Sequence, residues 1–182
     1  MLCIDEKTCI QAVTRKHPVV YPQPGSPGRF EFEYQRHGTI ALLAAFDVRS
    51  GEVFGQCRRR RTGADLNQFM EAIAKRYPEG EVFVVWDNLN IHRGPAWDAF
   101  NQRHRRRFNF VFTPKHASWV NQIELWFSIL QRRVIRYGQF GSRSALSASI
   151  ESFIAHWNRH EAHPFRWTFR GRFRQHRELP AA

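Results

Sequence analysis

Three acidic residues, Asp5, Asp87 and Glu124, could together do metal-dependent chemistry. In EVFVVWDNLNIHRG, a run of strand-forming apolar residues stops abruptly at Asp87. In MLCIDEKTCIQAV, Asp5 interrupts a second apolar stretch. If those two strands are neighbours, their carboxylates approach each other, and close carboxylates repel unless a cation lies between them. Magnesium, a hard ion that takes oxygen ligands, suits such a pair. Glu124 supplies a third acid. In SWVNQIELWFSIL, Asn121, Glu124 and Ser128 form a polar stripe beside the apolar face of a helix. An Asp-Asp-Glu set can hold two metal ions for phosphoryl transfer, one activating the attacking water or hydroxyl and the other stabilising the leaving oxygen.

Each acid also has a plainer reading. Asp5, beside Glu6 and Lys7, fits a strand-end charge cluster. Asp87-Asn88 fits an Asx turn, and Glu124 fits a helix-surface acid. Asp47 competes for a site role, but its DVRSG context reads as a hairpin turn. Asn88 and Asn121 suit either ligand orientation and substrate contact or backbone capping. His92 and His116 suit either a scissile phosphate or a loop carbonyl.

The elements that must position these residues alternate between strand and helix. The first strand spans MLCIDEKTCIQAV, and the Pro/Gly-rich HPVVYPQPGSPG is a loop. GTIALLAAFDVRSGEVFGQCRRR reads as two antiparallel strands turning at Arg49-Ser50-Gly51. Leu66, Phe69, Met70, Ile73 and Tyr77 predict an amphipathic helix over 65–77, capped by Asp65. EVFVVWD reads as a fully buried strand. Pro95 starts a short helix carrying Trp97 and Phe100, and FNFVFT is the fifth strand. One helix is predicted from Ser118 to about Tyr137, stopped by Gly138, and a last one from Ser142 carries Leu146, Ile150, Phe153 and Trp157. Three strands, then helices alternating with strands, predict an α/β fold: a mixed five-stranded sheet with helices on both faces. Sites in such sheets gather at strand ends near a topological switch.

A chain of 182 residues with 42% apolar residues suffices for one domain with a full core. Lys and Arg total 28 against 16 acids, a formal charge of +12, which predicts an anionic partner, nucleic acid first. No apolar stretch has the length of a membrane span. MLCIDEKTCI carries no basic leader with a long apolar segment, and Cys3, Cys9 and Cys57 show no CxxC spacing, so a reducing cytoplasm is expected. The basic residues come in blocks: RRRR at 58–61, RHRRR at 103–107, QRRVIR around Arg132 and Arg133, and FRWTFRGRFRQHR at the C-terminus. Some of them should meet phosphates. The last block suits either base stacking with phosphate contact or docking on the core through Phe165, Trp167 and Phe169. His156, His160 and His163 have spacing compatible with zinc, though a helix-end or phosphate-facing role fits better.

CIDEKTCIQA, YQRHGT, VVWDNLNIHRG and TPKHASWVNQIELWFSIL, in this order and followed by HPFRWTF, resemble the catalytic core of DDE transposases. The resemblance is to the bacterial insertion-sequence (IS 630 type) branch of the mariner-like superfamily. It implies a ribonuclease H-like fold, a single catalytic domain over 1–182, and Asp5, Asp87 and Glu124 as the catalytic, metal-binding triad. It also implies Mg2+, replaceable by Mn2+, with two ions bound. The chemistry would be hydrolysis at transposon ends, then attack of the freed 3′-hydroxyl on TA-containing target DNA. Asn88, His92, Arg93, Lys115, His116, Asn121, Arg132 and Arg133 become candidate DNA contacts, a homodimer the expected assembly, and the bacterial cytoplasm and nucleoid the expected location. Relatives carry an N-terminal helix-turn-helix that reads the inverted repeats; with Asp5 almost at the initiator Met, that region is expected to be absent and end-specific binding weak. Two alternatives stand beside this reading: an inactive DNA-binding remnant, and a ribonuclease H-like structure-selective nuclease.

Overall fold

The computed structural model describes residues 1–17, 20, 22–28, 33–92, 94–114 and 118–166. Its centre is a five-stranded sheet in the order β3-β2-β1-β4-β5. The strands are β1 (Leu2–Arg15), β2 (Tyr34–Asp47), β3 (Val53–Arg58), β4 (Val82–Trp86) and β5 (Phe108–Phe112). The first three form an antiparallel meander, and β4 and β5 run parallel to β1. This is the mixed sheet the sequence predicts, with β1 and β4 adjacent. The β2–β3 hairpin turns where expected. Asp47 belongs to that turn: its Oδ1 accepts the Arg49 N–H at 2.9 Å and its Oδ2 the Tyr77 hydroxyl at 3.1 Å.

Helices cover both faces. On one, α1 (Gly63–Arg76) and α2 (Pro95–Arg103) bury Leu66, Phe69, Ile73, Trp97 and Phe100 against Leu2, Ile4, Val84 and Trp86. On the other, α3 (Ile123–Leu130) and α4 (Arg143–His160) bury Trp126, Phe127, Leu146, Ile150 and Trp157 against Cys3, Leu42, Ala44 and Phe46. Alternation along the strands divides the two layers, since successive side chains point to opposite faces. Cys3 faces α3 and α4, whereas Leu2 and Ile4 face α1 and α2.

β1 changes phase partway. Lys7 pairs with Leu42 but Ile10 with Ile40, so an extra residue sits in β1, and Cys9 takes φ +55°. Beyond this bulge, Ile10 and Ala12 occupy the α3–α4 face that Cys3 and Asp5 occupy before it.

Three expectations need correction, and one open alternative is decided. Thr62, not Asp65, caps α1: its hydroxyl accepts the Asp65 N–H at 3.1 Å, and Asp65 Oδ2 returns the bond to the Thr62 N–H at 3.0 Å. The motif is a capping box, in which the acid stands three residues inside the helix. β4 is not buried on both faces; Phe83 is 44% exposed, because α3 and α4 pack over β1, β2 and β3. The helix predicted from Ser118 to Tyr137 is broken into a 3₁₀ turn (Ser118–Val120), α3, and a π-helical turn (Gln131–Ile135). Its entry is pinned by Asn121, which donates Nδ2–H to Ile4 O of β1 at 2.8 Å and so fixes the chain before a regular helix can start. The histidines at the end of α4 do not converge on a common ion. His156 meets Glu161 at 3.0 Å, and His163 packs its ring against Trp157 and Phe165.

Of the docking aromatics in the C-terminal block, Phe165 stacks on Phe46 with centroids 4.8 Å apart; Trp167 and Phe169 lie outside the described residues. No helix among the described residues is long and apolar enough to cross a membrane.

Candidate metal centre

The β1–β4 register places two of the acids. Leu2 pairs with Val84 and Cys3 with Val85. Two residues further on, Asp5 and Asp87 come level at the carboxyl end of parallel strands, and alternation puts Asp5 on the α3–α4 face with Cys3. Glu124 reaches this face from the first turn of α3, held there by the Asn121 bond to Ile4 O and by its own N–H bond to Asn121 O at 3.1 Å. Asp87 and Glu124, 119 residues from Asp5 at the farther (124 − 5), both therefore act on Asp5 electrostatically.

Asp5 records that proximity. Its carboxyl is pushed up from 3.8 to about 7, first by burial, against the lowering effect of the Glu6 N–H at 2.7 Å, and then by the negative charges of Glu6, Asp87 and Glu124. Among the described residues no three His, Cys, Asp or Glu side chains already form a group able to hold a metal ion. The donor set nevertheless fits one. It is all oxygen, it carries surplus negative charge, and a cation would offset the repulsion that raises Asp5. A further oxygen stands ready: Asn121 is fully buried, and its Oδ1 has no hydrogen-bond partner among the described residues.

Asp87 also makes the Asx turn that its plainer reading anticipates, accepting the Leu89 N–H on Oδ1 at 3.0 Å. The same oxygen lies 2.8 Å from His92 Nδ1. His92 was expected at the DNA; instead it is buried, stacked flat on Trp86 with centroids 4.7 Å apart, and its Nε2 lies 3.0 Å from Glu6 Oε1. Burial pulls the imidazole's pKa down, but the bond to Glu6, the Glu6 charge and then Asp87 outweigh it, so the net shift is upward.

Asn121 is corrected in the same way, from a DNA contact to a buried tie between α3 and β1. Asn88 donates to Thr113 O, joining the loops after β4 and β5. Arg132 is exposed on the π-helical turn, but Arg133 is engaged in a two-pronged pair with Glu161 and lies over the Phe153 ring. Arg93, Lys115 and His116 lie outside the described residues.

Two residues linked to the centre through His92 escaped the sequence reading. Glu6 was weighed only as part of a charge cluster, and Arg61, 3.5 Å from Glu6 Oε2, was one of four consecutive arginines. The available signal was alternation: adjacent acids in a strand covered on both faces cannot share one site. The 103–107 block, in contrast, is largely structural. Arg103 and His104 pair with Glu71, and Arg107 donates to Ala74 O and Tyr77 O at the end of α1.

The family model described as DDE superfamily endonuclease matches residues 1–147. The chain belongs to that family. DDE endonucleases work with divalent metal ions, in keeping with the donor set. Among solved structures, this DDE domain is similar to the Mos1 transposase paired-end complex with left transposon end, at 17% identity and TM-score 0.61 over 85% of this chain and 47% of that one. It is similar to the Mos1 mariner paired end complex with Mn, at 17% identity and TM-score 0.63 over 85% and 48%. A Mos1 strand transfer complex matches at 17% identity and TM-score 0.57 over 88% and 47%. These likenesses establish the ribonuclease H-like fold. The chain spans about half the length of the transposases it matches. No curated protein matches it.

Proposed function

We propose that this chain is the catalytic domain of a transposase, cutting DNA phosphodiester bonds at transposon ends and joining the freed ends to target DNA. One observation carries the reading: Asp5 of β1, pushed up to about 7 first by burial, also feels the charges of Asp87 at the end of β4 and Glu124 at the start of α3. Asp5, Asp87 and Glu124 would hold the divalent ions, Mg2+ or Mn2+, two in number. When bound, such ions activate the attacking oxygen and stabilise the leaving one.

The chain's own residues do the rest. β1 and β4 set Asp5 and Asp87 side by side, and Asn121 fixes the entry of α3 so that Glu124 faces them. Burial of Asp5 keeps bulk water from screening the acids. The surplus of 12 positive charges attracts the DNA backbone to a centre that is itself acidic. Arg132 is the exposed candidate for phosphate contact from the α3 side. A homodimer acting on two ends, a TA target and a location at the bacterial nucleoid complete the proposal, by resemblance to mariner-like relatives.

The experiment is nicking of supercoiled plasmid in Mg2+ and in Mn2+, with Asp87→Ala as control. Metal-dependent nicking should appear and be lost in the control. Nicking that survives Asp87→Ala, or needs no metal, refutes the proposed site. Product analysis then separates joined strands, the mark of a transposase, from nicks alone.

A further inference from the structure

We propose that Glu6 and His92 are positioning residues of this centre, holding one oxygen of Asp87 so that the other is left for a metal ion. The inference rests on the metal-centre reading above and deepens it.

The residues come from three segments and form one bridge. Glu6 follows Asp5 in β1, so alternation sends it to the α1–α2 face, away from the acids themselves. There its Oε1 lies 3.0 Å from His92 Nε2. His92 Nδ1 lies 2.8 Å from Asp87 Oδ1 and 3.1 Å from Asp87 O. Both ring nitrogens are thus committed to oxygens: Nε2 to Glu6 of β1, and Nδ1 to Asp87 just past β4, hydrogen-bonded to its backbone O and in ion-pair range of its Oδ1. The flat stack on Trp86 fixes the ring plane. Arg61 closes the chain at 3.5 Å from Glu6 Oε2. Both side-chain contacts to Asp87 fall on Oδ1.

Such a bridge is an expensive way to fill space. The side chains of Glu6 and His92 are fully buried in a layer otherwise lined by Leu, Ile, Phe and Trp. An apolar pair would pack there without desolvating a carboxylate. What an apolar pair cannot do is fix the orientation of Asp87, and partners that orient a metal ligand typically govern metal affinity about 10–100-fold.

Charge and positioning predict opposite signs. Arg61→Ala removes a cation beside the acids, so charge alone would tighten a divalent ion, whereas loss of the pin on Glu6 loosens it. His92→Phe keeps the stack on Trp86 and removes both hydrogen bonds. Mn2+ binding is measured on the full chain without DNA, from the electron paramagnetic resonance of free Mn2+, for wild type, Asp87→Asn, His92→Phe, Arg61→Ala, Glu6→Gln and Glu71→Ala. We expect wild type to bind, Asp87→Asn to lose binding, His92→Phe to weaken it about 10-fold or more, and Arg61→Ala to weaken it a few-fold. Glu6→Gln retains an acceptor oxygen and should rescue most of the affinity. Glu71→Ala, at the far end of α1, should leave it unchanged. Binding unchanged or tightened in His92→Phe and Arg61→Ala overturns the positioning role while leaving the metal centre standing. Binding unaffected by Asp87→Asn overturns both. If circular dichroism shows His92→Phe unfolded, Arg61→Ala, whose side chain is partly exposed, decides alone.

Discussion

Asp5→Asn should make the metal-free protein more stable, and by an amount that grows with pH. The folded chain holds the Asp5 proton up to about pH 7, while the unfolded chain releases it near 3.8. Between those values the folded state binds more protons, so rising pH drains stability from the wild type. At about 1.4 kcal/mol per pH unit the full loss is about 4 kcal/mol, complete above the folded pKa. Asn keeps the oxygen that accepts the Glu6 N–H at 2.7 Å and cannot ionise. Groups that titrate alike in both proteins cancel in the difference. The stability gap between variant and wild type should therefore widen by about 3 kcal/mol from about pH 5 to about pH 8. In a chain of this size that is a relative change in Tm of about 6–12 °C. The assay is thermal or urea unfolding in chelator at both pH values. A gap that stays constant with pH, or that closes as pH rises, refutes the reasoning. Added Mn2+ should restore the wild type at the higher pH and leave the variant where it was.

Three further outcomes test how the scaffold is held. Arg107→Ala removes the cap on the carbonyls ending α1 and a contact with the Phe108 ring, and should lower stability in urea by about 1–3 kcal/mol without altering Mn2+ binding. Gly51→Ala places a residue with a side chain at φ +77° and a Cβ about 2.1 Å from His163 O; it should cost at least about 2 kcal/mol, read as a fall in Tm. Thr62→Ala opens the capping box of α1 and should cost about 1 kcal/mol, read by circular dichroism on heating.

The order of elements was legible because burial patterns of period two and 3.6 survive in Ile4, Leu42 and Val84 on the one hand and in Leu66, Phe69 and Ile73 on the other. Adjacency of β1 and β4 stood only as a condition in the sequence; the sheet order meets it and brings Asp5 level with Asp87. Apart from the α1 cap, which is local, the misses share a cause: they depend on contacts between segments distant in sequence. The entry of α3 is set by a carbonyl of β1 that Asn121 reaches across 117 residues. Glu6 looks like surface charge until His92, 86 residues later, is seen beneath it. The 103–107 arginines look like a DNA patch because nothing local shows that Arg107 will cap a helix that ended about thirty residues earlier.

The bulge at Cys9 constrains what lengths this chain can take. Before it, odd-numbered residues of β1 face the acids' side of the sheet; after it, even-numbered ones do. A single-residue deletion between Leu2 and Lys7 would turn Glu6 toward α3 and Asp5 toward His92, exchanging the acids between the two faces. Removing Cys9 itself would delete the extra residue and restore plain alternation, so that Asp5 and the Ile10–Ala12 core would keep their face while the bulge is lost. Length changes between Leu2 and Lys7 are tolerated only in twos, whereas at the bulge a single residue can be lost without exchanging the faces.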